Sequence, residues 1–127
     1  MKLKMASILV EDPISAHKFY TEVLGFKSHT FMPDHQLAIV MASDDNTATI
    51  ILEPVNHDYV RNFKSKIYQA GLPCIIFEVD DIQAHYDALI EKGVNFRQPP
   101  KTTEWGTSVI LDDQHGNYIQ LHKDPTP

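Results

Sequence analysis

The sequence predicts an α+β protein made of two copies of a βαβββ unit. Apolar runs of strand length alternate with two helical patterns, and the order strand, helix, three strands occurs twice. The two copies also align, because residues 10–12 match residues 79–81 and Gly25 matches Gly93. A repeated unit of this kind generally cannot close its own core. The copies must therefore pack side by side or exchange with another chain.

The first copy opens with a strand, Leu3–Val10, followed by a helix over residues 13–24. Asp12 is a good N-cap, and Pro13 fits the first helical position because the N–H that it lacks would be unbonded there. Gly25 stands where a glycine commonly ends a helix. The helix is therefore bounded at both ends by local signals.

Three further strands complete this copy. Pro33-Asp34 and residues 43–46 supply turn residues between them, and such short connections favour antiparallel neighbours. The predicted strands are Phe26–Phe31, Gln36–Met41 and Thr47–Glu53.

The second copy repeats this order. Asp81 can cap a helix over Ile82–Lys92, and Gly93 ends it. The chain is one domain, residues 1–127, in which residues 1–54 form the first copy, 55–70 a linker that permits a short helix, and 71–123 the second copy. The predicted strands of the second copy are Cys74–Val79, Val94–Arg97 before a Pro99-Pro100 break, Thr107–Leu111, and Tyr118–His122 after a turn at Asp112–Asn117.

Composition limits the classes of partner. Hydrophobic residues make up 43% of the 127 residues and charged residues 22%, an ordinary globular mixture. The net charge of −6, without a basic cluster, predicts no nucleic-acid partner. The longest uncharged stretch, residues 67–77, contains Gly71 and Pro73 and predicts no membrane span. A single cysteine, Cys74, and the absence of a signal-peptide pattern predict a cytoplasmic protein.

Several short motifs resemble the vicinal oxygen chelate superfamily, which includes glyoxalase I, extradiol dioxygenases and bleomycin-resistance proteins. The resemblance covers essentially the whole chain. It implies an eight-stranded curved mixed sheet of two open half-barrels, with helices outside and a ligand cup on the concave face. Exposed sheet edges then favour a homodimer. The motifs are Val10-x-Asp12, Phe19-Tyr20, Leu24-Gly25-Phe26, Phe77-Glu78-Val79-Asp80-Asp81, Trp105-Gly106 and Asp113-x-x-Gly116-Asn117.

The resemblance also implies four metal-ligand positions, which His and Glu commonly occupy in metal-dependent relatives. Here they fall on Met5 and Cys74 in the first strand of each copy, and on Glu53 and Gln120 in the last strand. Only Glu53 is a good ligand for the divalent metals of such sites. The sequence therefore predicts no bound metal and no cofactor.

Strand alternation extends the predicted lining of the cup, because every second side chain of a strand shares a face. It adds a mostly apolar wall with a few polar groups, which suits a small organic ligand; the alternative is a closed pocket in which these side chains are core. Trp105 joins the set through the loop resemblance, either as a ligand-stacking aromatic or as a core residue. The predicted ligand-binding residues are Met5, Ser7, Glu53, Cys74, Trp105, Tyr118, Gln120 and His122; Leu9, Thr49, Ile51 and Ile76 share their parity.

Two functions remain. The first is a binding protein that holds a hydrophobic or aromatic small molecule without a catalytic metal. The second is a metal-dependent lyase, isomerase or dioxygenase with an atypical site, similar to glyoxalase I or to extradiol dioxygenases. If there is catalysis, Glu53 and His122 are the candidate acid–base pair. The four ligand positions favour binding, and whether the protein is an enzyme stays open.

Overall fold

The computed structural model describes residues 1–44 and 48–127. The predicted strand start at Thr47 and part of the turn at residues 43–46 lie outside the described residues. The chain forms two compact units, Met1–Lys66 and Ile67–Pro127, and each is described by itself. No helix in the described part of the chain is long and apolar enough to cross a membrane.

The first unit contains one complete βαβββ copy. Its four strands form sheet A in the order β1-β4-β3-β2, with β1 parallel to β4 and the other neighbours antiparallel. This arrangement confirms the βαβββ prediction for the first copy. The elements are β1 Met5–Val10, α1 Pro13–Lys18, β2 Lys27–Met32, β3 Leu37–Met41 and β4 Thr49–Pro54.

The first helix begins where its cap predicts. The Ile14 backbone N–H donates to Asp12 Oδ1 at 3.0 Å, and Pro13 occupies the first turn. The predicted helix over residues 13–24 is divided: α1 ends at Lys18, and a π-helical turn, Phe19–Val23, continues the chain. Gly25, with a φ of 80°, then reverses the chain toward β2.

Helix α1 covers one face of sheet A, which becomes the core of this unit. Ile8 and Val10 of β1 and Ile50 and Leu52 of β4 are buried on that face, while the residues that alternate with them, Ser7, Leu9, Ile51 and Glu53, are more exposed. We call the less buried side of each sheet its open face. The buried apolar residues of the unit include Ile8, Val10, Ala16, Phe19, Tyr20, Val40 and Leu52.

The second unit contains the other copy. Its strands form sheet B in the order β5-β8-β7-β6, with β5 parallel to β8. Helix α3 packs against β7 and β8, and its first turn is capped by Asp81, whose Oδ1 accepts from the Ala84 N–H at 3.0 Å. The elements are β5 Pro73–Glu78, α3 Ile82–Glu91, β6 Lys101–Thr103, β7 Gly106–Asp112 and β8 Tyr118–Lys123.

The predicted strand Val94–Arg97 is wrong, because the strand at this place in the copy is β6, Lys101–Thr103. Residues 95–97 make only a short bridge to the far end of β7, through the pair Phe96–Leu111. Pro99 and Pro100 separate the two segments, since proline has no N–H to give to the ladder. The edge of sheet B is thus one strand broken into two pieces.

The eight strands form two four-stranded sheets, each open rather than closed on itself, which agrees with the predicted α+β fold with open sheets. The linker differs from the sequence prediction, because it contains a full helix, α2 Asp58–Gln69, where the sequence predicts only a short one. Its aromatic residues Tyr59 and Phe63 are exposed.

Candidate functional site

The open face of sheet A carries the predicted residues of the first unit. Register pairs Ser7 with Ile51 and Leu9 with Glu53, so these side chains share a face with Met5. Met5 is 39% exposed, while Glu53 is half-buried. Among the described residues, the Glu53 carboxylate has no hydrogen-bond or ion-pair partner. It is the acceptor on this face that a ligand could use.

Thr49 shares the parity of these residues but is not available to a ligand. It is 8% exposed. Its hydroxyl donates to the Lys4 carbonyl oxygen at 3.3 Å, which ties the start of β4 to the segment before β1.

The open face of sheet B consists of rows that cross the strands. Gln120 lies between Ile76 on β5 and Ile110 on β7. His122, two residues further along β8, lies between Glu78 and Ser108. Tyr118 begins the same face and is paired with Asp112 on β7. From Tyr118 to His122 the face extends about 13 Å, long enough for a small aromatic molecule.

Cys74 occupies an irregularity in the β5–β8 pairing. The register shifts between Pro73 and Ile75, so the pairing of β5 with β8 is irregular at Cys74. It is exposed and forms no disulfide. Such irregularities commonly change the direction of a side chain, and Cys74 is exposed at the start of β5.

The strand registers of the two sheets show which positions of the first copy correspond to which positions of the second. Ser7 matches Ile76 in the internal repeat, and their partners on the parallel neighbour are Ile51 and Gln120. The counterpart of Gln120 in the first unit is therefore Ile51. Glu53 lies two residues further on and corresponds to His122, the partner of Glu78.

The four positions that the resemblance implies for a metal stay Met5, Glu53, Cys74 and Gln120. Only Glu53 is a carboxylate, none is an imidazole, and the register places Ile51 rather than Glu53 at the level that corresponds to Gln120. A thioether, one carboxylate, a thiol and a neutral amide are a poor set for iron, nickel, zinc or manganese. In the described part of the chain, no group of three or more His, Cys, Asp or Glu side chains could hold a metal ion.

An aromatic and charged cluster closes the Tyr118 end of sheet B. The Tyr68 ring stacks on Tyr118 with centroids 4.5 Å apart, and its hydroxyl donates to Asp112 Oδ2 at 2.5 Å. That hydrogen bond, followed by one with Tyr118 and by burial, raises the pKa of Tyr68. Tyr68 is therefore a neutral hydrogen-bond donor at neutral pH. The Arg97 guanidinium lies over the Tyr118 ring, 5.4 Å from its centroid.

The other end of sheet B is formed by His122 and the hairpin between β6 and β7. His122 Nε2 lies 3.0 Å from Asp124 Oδ1. Gly106 packs close to the imidazole, and Trp105 before it is 75% exposed. Trp105 is therefore not a core residue. The predicted pairing of His122 with Glu53 joins residues of different units and stays a prediction.

Sequence reasoning missed Tyr68 and Arg97. The sequence places Tyr68 in a linker. It places Arg97 in a strand, Val94–Arg97, whereas the observed edge strand is β6. No local pattern marks either residue, because their proximity to Tyr118 arises only when the chain folds. The short motif Phe96-Arg97 before Pro99-Pro100 is visible in the sequence, but it does not reveal which face Arg97 occupies.

Comparison with known proteins agrees with this architecture. The family model of the glyoxalase/bleomycin resistance protein/dioxygenase superfamily matches residues 2–121. YurT, an uncharacterized protein of Bacillus subtilis (strain 168), is 37% identical over 124 residues, which cover 95% of this chain and 98% of YurT.

Two solved structures are similar over nearly the whole chain. UcmS2 is 26% identical with a TM-score of 0.83, covering 96% of this chain and 97% of UcmS2. TnmS3, an antibiotic binding protein from Streptomyces sp. CB03234, is 23% identical with a TM-score of 0.75, covering 98% and 97% of the two chains. At this identity the likeness to TnmS3 concerns the fold.

Proposed function

Because the chain belongs to the glyoxalase/bleomycin resistance protein/dioxygenase superfamily, we propose that it binds a small hydrophobic or aromatic molecule without a catalytic metal. The observation that carries this proposal is the side-chain chemistry at the four implied metal positions, Met5, Glu53, Cys74 and Gln120. Enzymes of the superfamily that use a metal need hard ligands and open coordination positions. This set offers one carboxylate and no imidazole.

The composition of the open faces supports a binding role. Both faces combine exposed or half-buried apolar side chains with polar ones, namely Ser7 and Glu53 on sheet A and Gln120, His122, Glu78 and Ser108 on sheet B. Apolar walls with a few placed polar groups are typical of small-molecule sites. The similar protein TnmS3 is described as an antibiotic binding protein, which is consistent with this ligand class.

We further propose that the open faces carry the ligand-binding residues Met5, Ser7, Glu53, Cys74, Trp105, Tyr118, Gln120 and His122. A homodimer in the cytoplasm stays part of the proposal. Sheet A ends on β1 and β2, and sheet B on β5 and β6, so each sheet has edges that a second copy could protect.

A thermal-shift screen of small aromatic and dicarbonyl compounds tests ligand binding. We expect aromatic compounds to raise Tm, since a ligand at a hundred times its Kd adds about 2.7 kcal/mol of stability, or roughly 10 °C. For the best compound, Glu53→Gln should weaken binding about tenfold to a hundredfold in calorimetry, because a charge-assisted hydrogen bond is lost. Glu91→Gln, at the exposed end of α3, is the matched control. An unchanged Kd in a folded Glu53→Gln variant would remove Glu53 from the site.

Elemental analysis of the purified protein tests the absence of a catalytic metal. We expect only substoichiometric Fe, Mn, Ni, Zn or Mg after dialysis, and no change in Tm when these ions are added back. The physical reason is that Met5 and Gln120 are poor ligands for these ions, so Glu53 is the only good ligand among the four implied positions. A near-stoichiometric metal that survives dialysis and is lost in Glu53→Ala would contradict the proposal and favour an enzyme.

A further inference from the structure

Arg97 lies on the open face of sheet B. Its backbone N–H donates to the Ile110 carbonyl oxygen at 3.0 Å, while its neighbour Phe96 pairs with Leu111. Leu111 is fully buried and Phe96 contacts Tyr86 of α3, so that pair belongs to the covered face. Since successive side chains alternate, Arg97 belongs to the open face.

The row that crosses the open face at this level is uncharged apart from Arg97. It continues from Arg97 through Ile110 on β7 and Gln120 on β8 to Ile76 on β5. In the part of the chain that the structure describes, the Gln120 side chain makes no hydrogen bond. The row therefore presents one cation at its edge and two alkyl side chains, with the amide of Gln120 between the two alkyl groups.

The Arg97 guanidinium is held in place but not neutralised. Nη1 donates to the Gly71 carbonyl oxygen at 2.7 Å, and the group lies over the Tyr118 ring. Gly71 has a φ of 74°, and any side chain there would collide with the guanidinium. No carboxylate among residues 1–44 and 48–127 pairs with Arg97, which is exposed. Four of the five N–H donors of a guanidinium remain for a ligand.

The carboxylate nearest in register is already engaged. Asp112, paired with Tyr118, accepts from the Tyr68 hydroxyl through Oδ2 and from the Gln114 N–H through Oδ1 at 2.8 Å. It therefore does not serve as the counter-ion of Arg97. Since the chain carries a net charge of −6, an exposed cation without an ion-pair partner on an otherwise uncharged row is not part of a general basic surface and suits the recognition of one anionic group.

We propose that Arg97 binds a carboxylate group of the aromatic ligand, whose ring then lies along Ile110 and Ile76. This inference rests on the proposed function and specifies its ligand as an aromatic carboxylate. The planar guanidinium matches a carboxylate with two parallel hydrogen bonds. The contact with the Tyr118 ring and the hydrogen bond to Gly71 hold the guanidinium in place in advance, which lowers the entropy cost of binding.

Calorimetry with a matched pair of probes tests the inference. The probes are 2-naphthoate and its neutral analogue 2-naphthamide, which share the ring and differ in charge. We expect the wild-type protein to bind 2-naphthoate about tenfold to a hundredfold more tightly than 2-naphthamide. In Arg97→Gln the two affinities should converge, mainly through loss of 2-naphthoate binding. Arg97→Lys should keep part of the preference, since charge is retained but the fork is lost.

Lys101→Gln is the matched control. It removes the same charge from the same face, because Lys101 pairs with Ser108 in the row of His122. Its position is about 7 Å further along the strands, so the preference for 2-naphthoate should remain. Equal loss in Lys101→Gln and Arg97→Gln would overturn the assignment to Arg97.

The outcomes separate this inference from the proposed function. Equal binding of both probes by the wild-type protein leaves the binding function standing and overturns the carboxylate assignment. Binding of neither probe, together with no hit in the thermal-shift screen, contradicts both. Circular dichroism and thermal melting check that each variant is folded. If Arg97→Gln does not fold, the wild-type preference for 2-naphthoate and its reduction in Arg97→Lys decide the matter.

Discussion

Replacing Gly106 with alanine is expected to lower the free energy of unfolding by roughly 3 kcal/mol, and the same change at Gly93 by only about 1 kcal/mol. Gly106 has a φ of 123°, in a region that is almost restricted to glycine, whereas Gly93 has a φ of 84° in the left-handed helical region. Both substitutions add one methyl group within the same unit. The difference between their free energies of unfolding therefore reports the local backbone geometry at the two glycines rather than the added methyl group itself.

The larger effect at Gly106 has a second cause. A Cβ there would collide with the Lys123 carbonyl oxygen and would lie 3.1 Å from Cε1 of His122, whereas a Cβ at Gly93 has no atom within 4 Å. The end of β8 would have to move away from β7. Because His122 belongs to the proposed site, we expect Gly106→Ala also to weaken ligand binding.

Urea denaturation of the two variants and of the wild-type protein measures the difference. Equal losses at Gly106 and Gly93 would show that the β6–β7 hairpin adapts to the added methyl group and that the close packing on Lys123 is not a constraint. A smaller loss at Gly106 than at Gly93 would contradict the argument entirely.

Local sequence signals predicted the elements well because they act over a few residues. Asp12 and Asp81 cap α1 and α3 through side-chain hydrogen bonds to the first helical turn, as their positions suggested. The order of strands in each copy also followed from short turns and from the repeat. These are interactions between residues close in sequence, so the unfolded chain already specifies them.

The site was harder to predict because it depends on register. Ile51 and Glu53 have the same parity on β4, so alternation alone cannot decide which one corresponds to Gln120. Only the pairing of Ser7 with Ile51 and of Ile76 with Gln120 makes the choice. Alternation therefore assigns Ile51 and Glu53 to one face, but it does not fix which of them lies at the level that corresponds to Gln120.

Arg97 illustrates a different limit. The predicted strand, Val94–Arg97, lies before the Pro99-Pro100 break, whereas the observed strand β6 lies after it. Proline interrupts a ladder, but its position does not say on which side of the break the longer pairing forms. The contact of Arg97 with Tyr118 and Gly71 depends on that pairing and on the end of α2, neither of which a local pattern encodes.

Replacing Asp113 with alanine is expected to lower the free energy of unfolding by about 3 kcal/mol. Asp113 is fully buried, and Oδ1 accepts from the backbone N–H groups of His115 at 2.7 Å and Asn117 at 3.0 Å. Its Oδ2 accepts from Asn117 Nδ2 at 2.9 Å. Alanine would leave these donors unsatisfied beside a buried turn, which costs more than the hydrogen bonds themselves contribute.

Asp80→Ala is the control, because Asp80 is an exposed aspartate of the same unit and should change stability by no more than about 0.5 kcal/mol. Asp113→Asn should fall between the two, since an amide keeps one acceptor but turns a donor toward Asn117. At a temperature where Asp113→Ala is folded, its affinity for the best aromatic compound should equal that of the wild-type protein. That result would assign the Asp113-x-x-Gly116-Asn117 motif to the turn between β7 and β8, whereas a specific loss of binding in the folded variant would place the motif in the ligand site.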